Sequence, residues 1–278
     1  MTKAEQAAND LAAKRARLEA ILKELRSVAI AFSGGVDSTF LVAEARRVLG
    51  RKNVLAITAS SETYSRRELD EARELAKRLD IEQAVIETRE LEIEHFRSNP
   101  PERCYYCKKE LMGQILAIAK QRGLAAVCDG ANADDAGQWR PGMRAAAELG
   151  VRSPLKEAGL AKDDIRTLSR QEGLPTWDRP SAACLASRFP YGHTITAEGL
   201  KRVAAAEDVL RGLGFTGFRV RDHGTVARIE VAPQDIAKVA VEHRERLVRD
   251  LKALGYAYVT VDLQGYRSGA MDEVLPQR

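Results

Sequence analysis

Ser33-Gly34-Gly35-Val36-Asp37-Ser38 stands between an apolar run at 28–32 and a stretch at 39–49 with helical spacing. The order strand, glycine turn, helix constrains the fold more than any other feature of the chain. Two adjacent glycines let the backbone turn sharply and bring its N–H groups up against an anion. Asp37 and Ser38 are candidates to cap the helix whose positive end faces that anion. A phosphate is the anion that suits such a turn. No Gly-Lys-Ser/Thr follows, so nothing stands where the lysine of a P-loop reaches the β- and γ-phosphates. Transfer of the γ-phosphoryl group is therefore not the expected chemistry.

The alternation continues down the chain. A β-rich run at 54–60 precedes a helical register at 68–79 carried by Leu69, Ala72, Leu75, Ala76 and Leu79. A strand at 84–88, helical spacing at 108–122 and a short apolar run at 125–128 follow. This pattern predicts an α/β fold with a doubly wound parallel sheet. Ligands of such sheets bind beyond the carboxyl ends of the strands, where SGGVDS and the segment Asp129-Gly130-Ala131-Asn132-Ala133-Asp134-Asp135 both fall. Asp134 and Asp135 suit a magnesium ion on the nucleotide and a helix cap equally well. Between 136 and 188, four prolines break up short helical pieces such as 162–172, which reads as substrate-facing loops. From 196 a new rhythm predicts a smaller α+β domain: helix to 213, strands at 218–221 and 227–231, helix 233–254, strand 258–263. Pro233 and Gly255 sit where helix starts and ends favour them. The expected domains are 1–188, with an N-terminal helix, and 189–278.

At 278 residues the chain can bury a core of that size. Lys plus Arg number 44 against 40 Asp plus Glu, and the interspersed net +4 is not a nucleic-acid footprint. The segment 1–26 is an amphipathic helix candidate, charged throughout, without the apolar stretch of a signal peptide or membrane span. A cytoplasmic protein is expected, so its four cysteines read as ligands or reactive thiols rather than disulfides.

Cys104-Tyr105-Tyr106-Cys107 follows a Pro-Pro pair, and Cys184 lies far away in Ala183-Cys184-Leu185-Ala186-Ser187-Arg188. A lone CxxC permits zinc, disulfide exchange or half of an iron-sulfur site. No second CxxC or HxxxH pair supports zinc, and no βαβ entry adjoins the motif to support a thioredoxin-like role. Three cysteines at a nucleotide site also suit a cluster with three protein ligands and one open iron. Cys184 by itself is an ordinary small residue, and Cys128 reads as a buried strand end that lies near the predicted site. His95, His193, His223 and His243 show no ligand spacing.

SGGVDS resembles the pyrophosphate loop of the PP-loop ATP pyrophosphatases, which cleave ATP between the α- and β-phosphates. Together with RCYYCKKEL, DGANADD, PSAACLASRFPYG and DLQGYRSGAMDE, it makes nearly the whole chain resemble the LarE family of sulfur transferases. The resemblance implies an adenine nucleotide alpha hydrolase-like fold. It implies adenylation of a carboxylate of pyridinium biscarboxylic acid mononucleotide and its conversion to a thiocarboxylate in nickel-pincer nucleotide synthesis. In one branch of that family the cysteine matching Cys184 gives up its own sulfur; in another, three cysteines bind a [4Fe-4S] cluster that passes on sulfide. With Cys104 and Cys107 as well, this chain looks like the second.

On this reading Ser33, Gly34, Gly35, Asp37 and Ser38 hold the pyrophosphate of ATP with Mg2+, Asp37 being the metal candidate. Gly130 and Asn132 line the nucleotide pocket. Cys104, Cys107 and Cys184 deliver sulfur drawn from a sulfide or persulfide source. Arg219 and Arg221 alternate on one strand and so share a face, and arginine suits bidentate phosphate recognition. With Arg188 and Arg267 they are the candidates for the substrate phosphate, and Glu230 is a candidate support of that patch or of a metal. The resemblance also implies trimer-based homo-oligomers, up to hexamers, with the C-terminal domain binding substrate and contributing to assembly. The rival enzymes are a tRNA thiolase, which would show a basic stripe or an RNA-binding module, and an ammonia-dependent amide ligase, which would not need the cysteines. A nucleotide sensor without chemistry is the rival of another class.

Overall fold

The computed structural model describes residues 2–64, 66–136, 141–180, 183–267 and 269–275. Ser181 and Ala182 of the cysteine motif and Ser268 of the terminal motif lie outside the described residues. The strands are β1 (Val28–Ala31), β2 (Val54–Ser60), β3 (Glu82–Glu87), β4 (Ala126–Cys128), β5 (Arg219–His223), β6 (Val226–Glu230) and β7 (Tyr258–Val261). The helices are α1 (Lys3–Leu25), α2 (Val36–Leu49), α3 (Arg66–Arg78), α4 (Glu94–Arg97), α5 (Arg103–Gln121), α6 (Pro141–Glu148), α7 (Pro154–Glu157), α8 (Lys162–Gln171), α9 (Ala197–Gly212) and α10 (Arg244–Ala253). The chain forms two compact units, one of residues 1–61, 66–89 and 102–182, the other of 62–65, 90–101 and 183–278.

In the first unit the sheet order is β3-β2-β1-β4, and every pair is parallel. β1 is therefore central and its residues are covered on both faces. Val28 and Ile30 pack with Leu18 and Leu22 of α1, Phe40 and Leu41 of α2, and Ile165 and Leu168 of α8. Ala29 packs on the other face with Met112 and Ile115 of α5 and Ala146 of α6. This is the doubly wound sheet that the alternation predicts. It places the β1–α2 turn and the segment after β4 at the carboxyl ends of adjacent strands.

In the second unit β6 pairs antiparallel with β5 and parallel with β7. Leu210 of α9 and Leu247 and Leu251 of α10 close the core over Val220 and Ile229. The single helix expected over 233–254 is three pieces instead: a 3-10 turn at Pro233–Asp235, a π-turn at Lys238–Glu242, and α10. The break falls at His243, whose φ of −107° leaves helical geometry while its ring packs edge-on against Phe215. The wide turn rotates the helix face by about one residue. Buried Asn99 donates to the carbonyls of Phe189 and Pro190, and Leu185 N–H donates to Thr63 O, so the early segments 90–101 and 62–65 are built into this unit.

Candidate active site

The glycine turn is the candidate anion cradle. Gly34 takes φ +70°, a conformation that side chains disfavour, and an added Cβ would sit 3.4 Å from Ala72 Cα and Cβ on α3. α2 starts at Val36 with Gly35 as its N-cap, and no side chain caps it. Asp37 and Ser38, expected as caps, lie inside the first turn. Ser38 Oγ instead donates to Gly35 O and accepts from Ser33 N–H, which tightens the turn. The helix end is left to whatever anion the turn receives. The segment after β4 comes close to this turn: a Cβ on Gly130 would stand 3.2 Å from Ser38 N. A side chain there would fit only if the turn gave way by a few tenths of an ångström.

Two cations meet the turn that local sequence reading did not single out. Lys162 Nζ, at the start of α8, donates to Asp37 Oδ2 at 2.6 Å. Asp37 Oδ1 is buried and has no hydrogen-bond partner among the described residues. A buried carboxylate oxygen without a partner is costly, and a metal ion would relieve it. Arg179 Nη1 donates to Gly34 O at 3.0 Å and Nη2 to Glu71 Oε2 at 2.8 Å. Of the two readings of Asp134 and Asp135, capping is what the contacts display. Asn132 Oδ1 accepts from Asp134 N–H, Asp135 Oδ2 accepts from Asn132 N–H, and Asp134 Oδ2 accepts from Lys162 N–H. Buried Asp129 accepts from Ser153 Oγ and lies 3.6 Å from Lys108 Nζ, the residue after Cys107.

Cys104 is exposed and Cys107 half-buried, three residues apart in the first turns of α5 and so on one face. Cys128 is buried at the end of β4, where burial and then Asp129 push its thiol up to about 12. That thiol is neutral and inert at ordinary pH. No disulfide joins any of the four cysteines. Among the described residues, neither unit by itself gathers three His, Cys, Asp or Glu side chains to hold a metal.

In the second unit half-buried Cys184 sits 3.8 Å from Thr63 O. Its segment is held by Arg188, which donates to the carbonyls of Ala183 and Cys184 and, through two nitrogens, to Glu207. Arg188 is thus taken up internally and shapes the cysteine loop. Arg221, buried, donates to Glu230 Oε2 at 2.6 Å and to Ser187 O, while its Nε is buried without a partner among the described residues. Fully buried Glu230 accepts on its other oxygen from Arg228, so it supports the arginine patch. Arg219 stacks over Tyr266 at 5.0 Å. Burial and then the charge of Arg188 push its pKa below the ordinary arginine value, so an anion there would be stabilised. Arg267 pairs with Glu273, and its Nη1 is buried without a partner among the described residues. Burial, Arg228 and His193 lower the pKa of His223, which favours its neutral form.

A family model described as NAD synthase matches residues 16–103, which span the glycine turn and the first three strands. Part of the chain, 54%, is 29% identical to argininosuccinate synthase of Haloarcula marismortui, over 38% of that enzyme. Over 95% of the chain the identity is 42% to an uncharacterized protein of Synechocystis, covering 99% of it. It is 43% to pyridinium-3,5-bisthiocarboxylic acid mononucleotide synthase of Lactiplantibacillus plantarum, over 95% of this chain and 96% of that one. With that identity sustained from end to end, the chain belongs to the pyridinium-3,5-bisthiocarboxylic acid mononucleotide synthase (LarE) family of PP-loop enzymes.

Proposed function

We propose that this chain is an ATP-dependent sulfur transferase that converts a carboxylate of pyridinium biscarboxylic acid mononucleotide into a thiocarboxylate, on the way to a nickel-pincer nucleotide. The full-length match to the Lactiplantibacillus plantarum synthase carries the reading. A free carboxylate is a poor electrophile. Its oxygen attacks the α-phosphorus of ATP, the bond to the bridging oxygen breaks, and pyrophosphate leaves. Ser33, Gly34, Gly35 and Ser38 hold that pyrophosphate by backbone N–H and hydroxyl groups. Lys162, now on Asp37, is within reach to neutralise the charge that develops. The unpartnered Oδ1 of Asp37 fits a magnesium ion. Gly130 and Asn132 border the nucleotide.

Sulfur then attacks the acyl carbon of the mixed anhydride and AMP departs. On this reading Cys104 and Cys107, on one helix face, and Cys184 would hold a [4Fe-4S] cluster through their sulfur atoms, and the cluster would supply sulfide. Arg188 orients the Cys184 loop. Arg219, Arg221 and Arg267 bind the substrate phosphate, with Glu230 bracing Arg221. The reading includes a nucleotide domain at 1–188 and a substrate-binding and oligomerisation domain at 189–278. It also includes a sulfide or persulfide donor, a trimer-based homo-oligomer and a cytoplasmic setting. Among the described residues no helix is long and apolar enough to cross a membrane.

Incubation with ATP, Mg2+, sulfide and the biscarboxylic mononucleotide tests the reading. It predicts AMP, pyrophosphate and a product in which oxygen is replaced by sulfur. Substrate-independent ATP hydrolysis, or AMP without a sulfur-containing product, would contradict it.

A further inference from the structure

The peptide between Gly34 and Gly35 is clamped from two sides. On one side the Gly35 N–H donates to Ser33 Oγ at 3.3 Å. On the other, the Arg179 fork donates one arm to Gly34 O and the other to Glu71, the residue before Ala72. Glu71 is steadied by Arg67, which donates to its second oxygen at 2.6 Å. Arg179 is fixed in turn, because Arg166 of α8 donates to the carbonyls of Trp177 and Arg179. A peptide unit is planar and trans, so its C=O and N–H point in opposite directions. Holding the Gly34 carbonyl therefore fixes where the Gly35 N–H points, which in this structure is at Ser33 Oγ. With glycine on both sides, this plane flips more easily than any other in the turn. A flipped plane would present an oxygen, not a donor, to the phosphates.

We propose that Arg179 is a positioning residue that locks the Gly34–Gly35 peptide in the orientation that receives the polyphosphate of ATP, with Glu71 as its anchor. The proposal rests on the reading of the turn as a pyrophosphate grip. Lysine cannot replace it, since one ammonium lacks the planar fork that spans two acceptors.

Equilibrium binding of ATP with Mg2+, without the pyridinium substrate, is compared with binding of AMP by calorimetry. Arg179→Gln and Arg179→Lys are each expected to weaken ATP binding about tenfold, the value of one charge-assisted hydrogen bond, and AMP binding by less than about twofold. Glu71→Gln, which keeps the arginine and removes its anchor, is expected to weaken ATP binding severalfold in the same sense. A merely structural arginine would shift the unfolding midpoint and both nucleotides alike. Unchanged ATP affinity in a folded Arg179→Gln protein would overturn the proposal. So would Arg179→Lys binding ATP like the wild type, because the arginine would then act on phosphate through charge alone. Failure of the wild type to prefer ATP over AMP would instead overturn the reading of the turn.

Discussion

The two units present two candidate anion sites made from opposite materials. The first uses backbone: a turn at φ +70°, an uncapped helix end and two cations resting on carboxylates at its rim. The second uses side chains: buried Arg221 held by buried Glu230, and Arg188 held by Glu207. A backbone cradle adds little charge to the fold and needs little compensation. An arginine patch must carry its own buried acids, or the unit would not fold. The difference predicts that damage to the first site is chemical, and damage to the second is structural as well.

The largest expected effect separates chemistry from activation. Cys184→Ala should abolish thiocarboxylate formation, a loss beyond about a thousandfold, while pyrophosphate release in a single turnover survives. Loss of both in a folded protein would break the separation. Asp37→Ala should lower AMP formation about a hundredfold or more, with unfolding free energy changed by less than about 1 kcal/mol. Denaturant titration beside the AMP assay reads both quantities.

Glu230→Ala inverts that pattern. It leaves Arg221 and Arg228 without their shared acid, at a cost of about 3–5 kcal/mol, which denaturant unfolding should reveal as a lowered midpoint at constant slope. A neutral effect would mean that the arginines find solvent, and the contrast between the sites would fail. A gentler probe is Arg221→Lys, expected to raise KM for the mononucleotide about tenfold and leave KM for ATP unchanged.

An effect confined to alkaline pH concerns Cys128. Its folded pKa is raised from the ordinary 9.0 to about 12, so the unfolded chain loses the proton first. The stability tied to this thiol is complete below about pH 9 and is lost as the pH rises toward about 12. Unfolding midpoints measured between these values should fall less steeply for Cys128→Ala than for the wild type. Identical slopes would show that the thiol does not contribute.

What could be read from the sequence differs between the sites for the same reason. SGGVDS is contiguous, so strand, turn and helix announce it, and the parallel sheet follows from the alternation. Lys162 and Arg179 join it from 125 and 145 residues away. The only local hints are a helix start at 162 and a motif that begins at Pro180, the residue after Arg179. The strand alternation of Arg219 and Arg221 indicated a shared face, but nothing local indicated that Glu207 and Glu230 would neutralise the patch. Asp37 and Ser38 read as caps because those residue types favour caps, whereas the structure makes Gly35 the cap and turns Ser38 inward. The break at His243 escaped the sequence because Pro233 and Gly255 bound one apolar-periodic stretch, while the contact of the His243 ring with Phe215 is a tertiary one.

The central claim is that ATP activates a carboxylate and sulfur then replaces its oxygen. Its most direct test uses substrate carrying 18O in the carboxylates, with ATP, Mg2+ and sulfide, and mass analysis of the AMP and the pyridinium product. The account predicts one 18O in each AMP released and one sulfur gained per AMP. AMP free of 18O would contradict it, because the carboxylate would not have attacked the α-phosphorus.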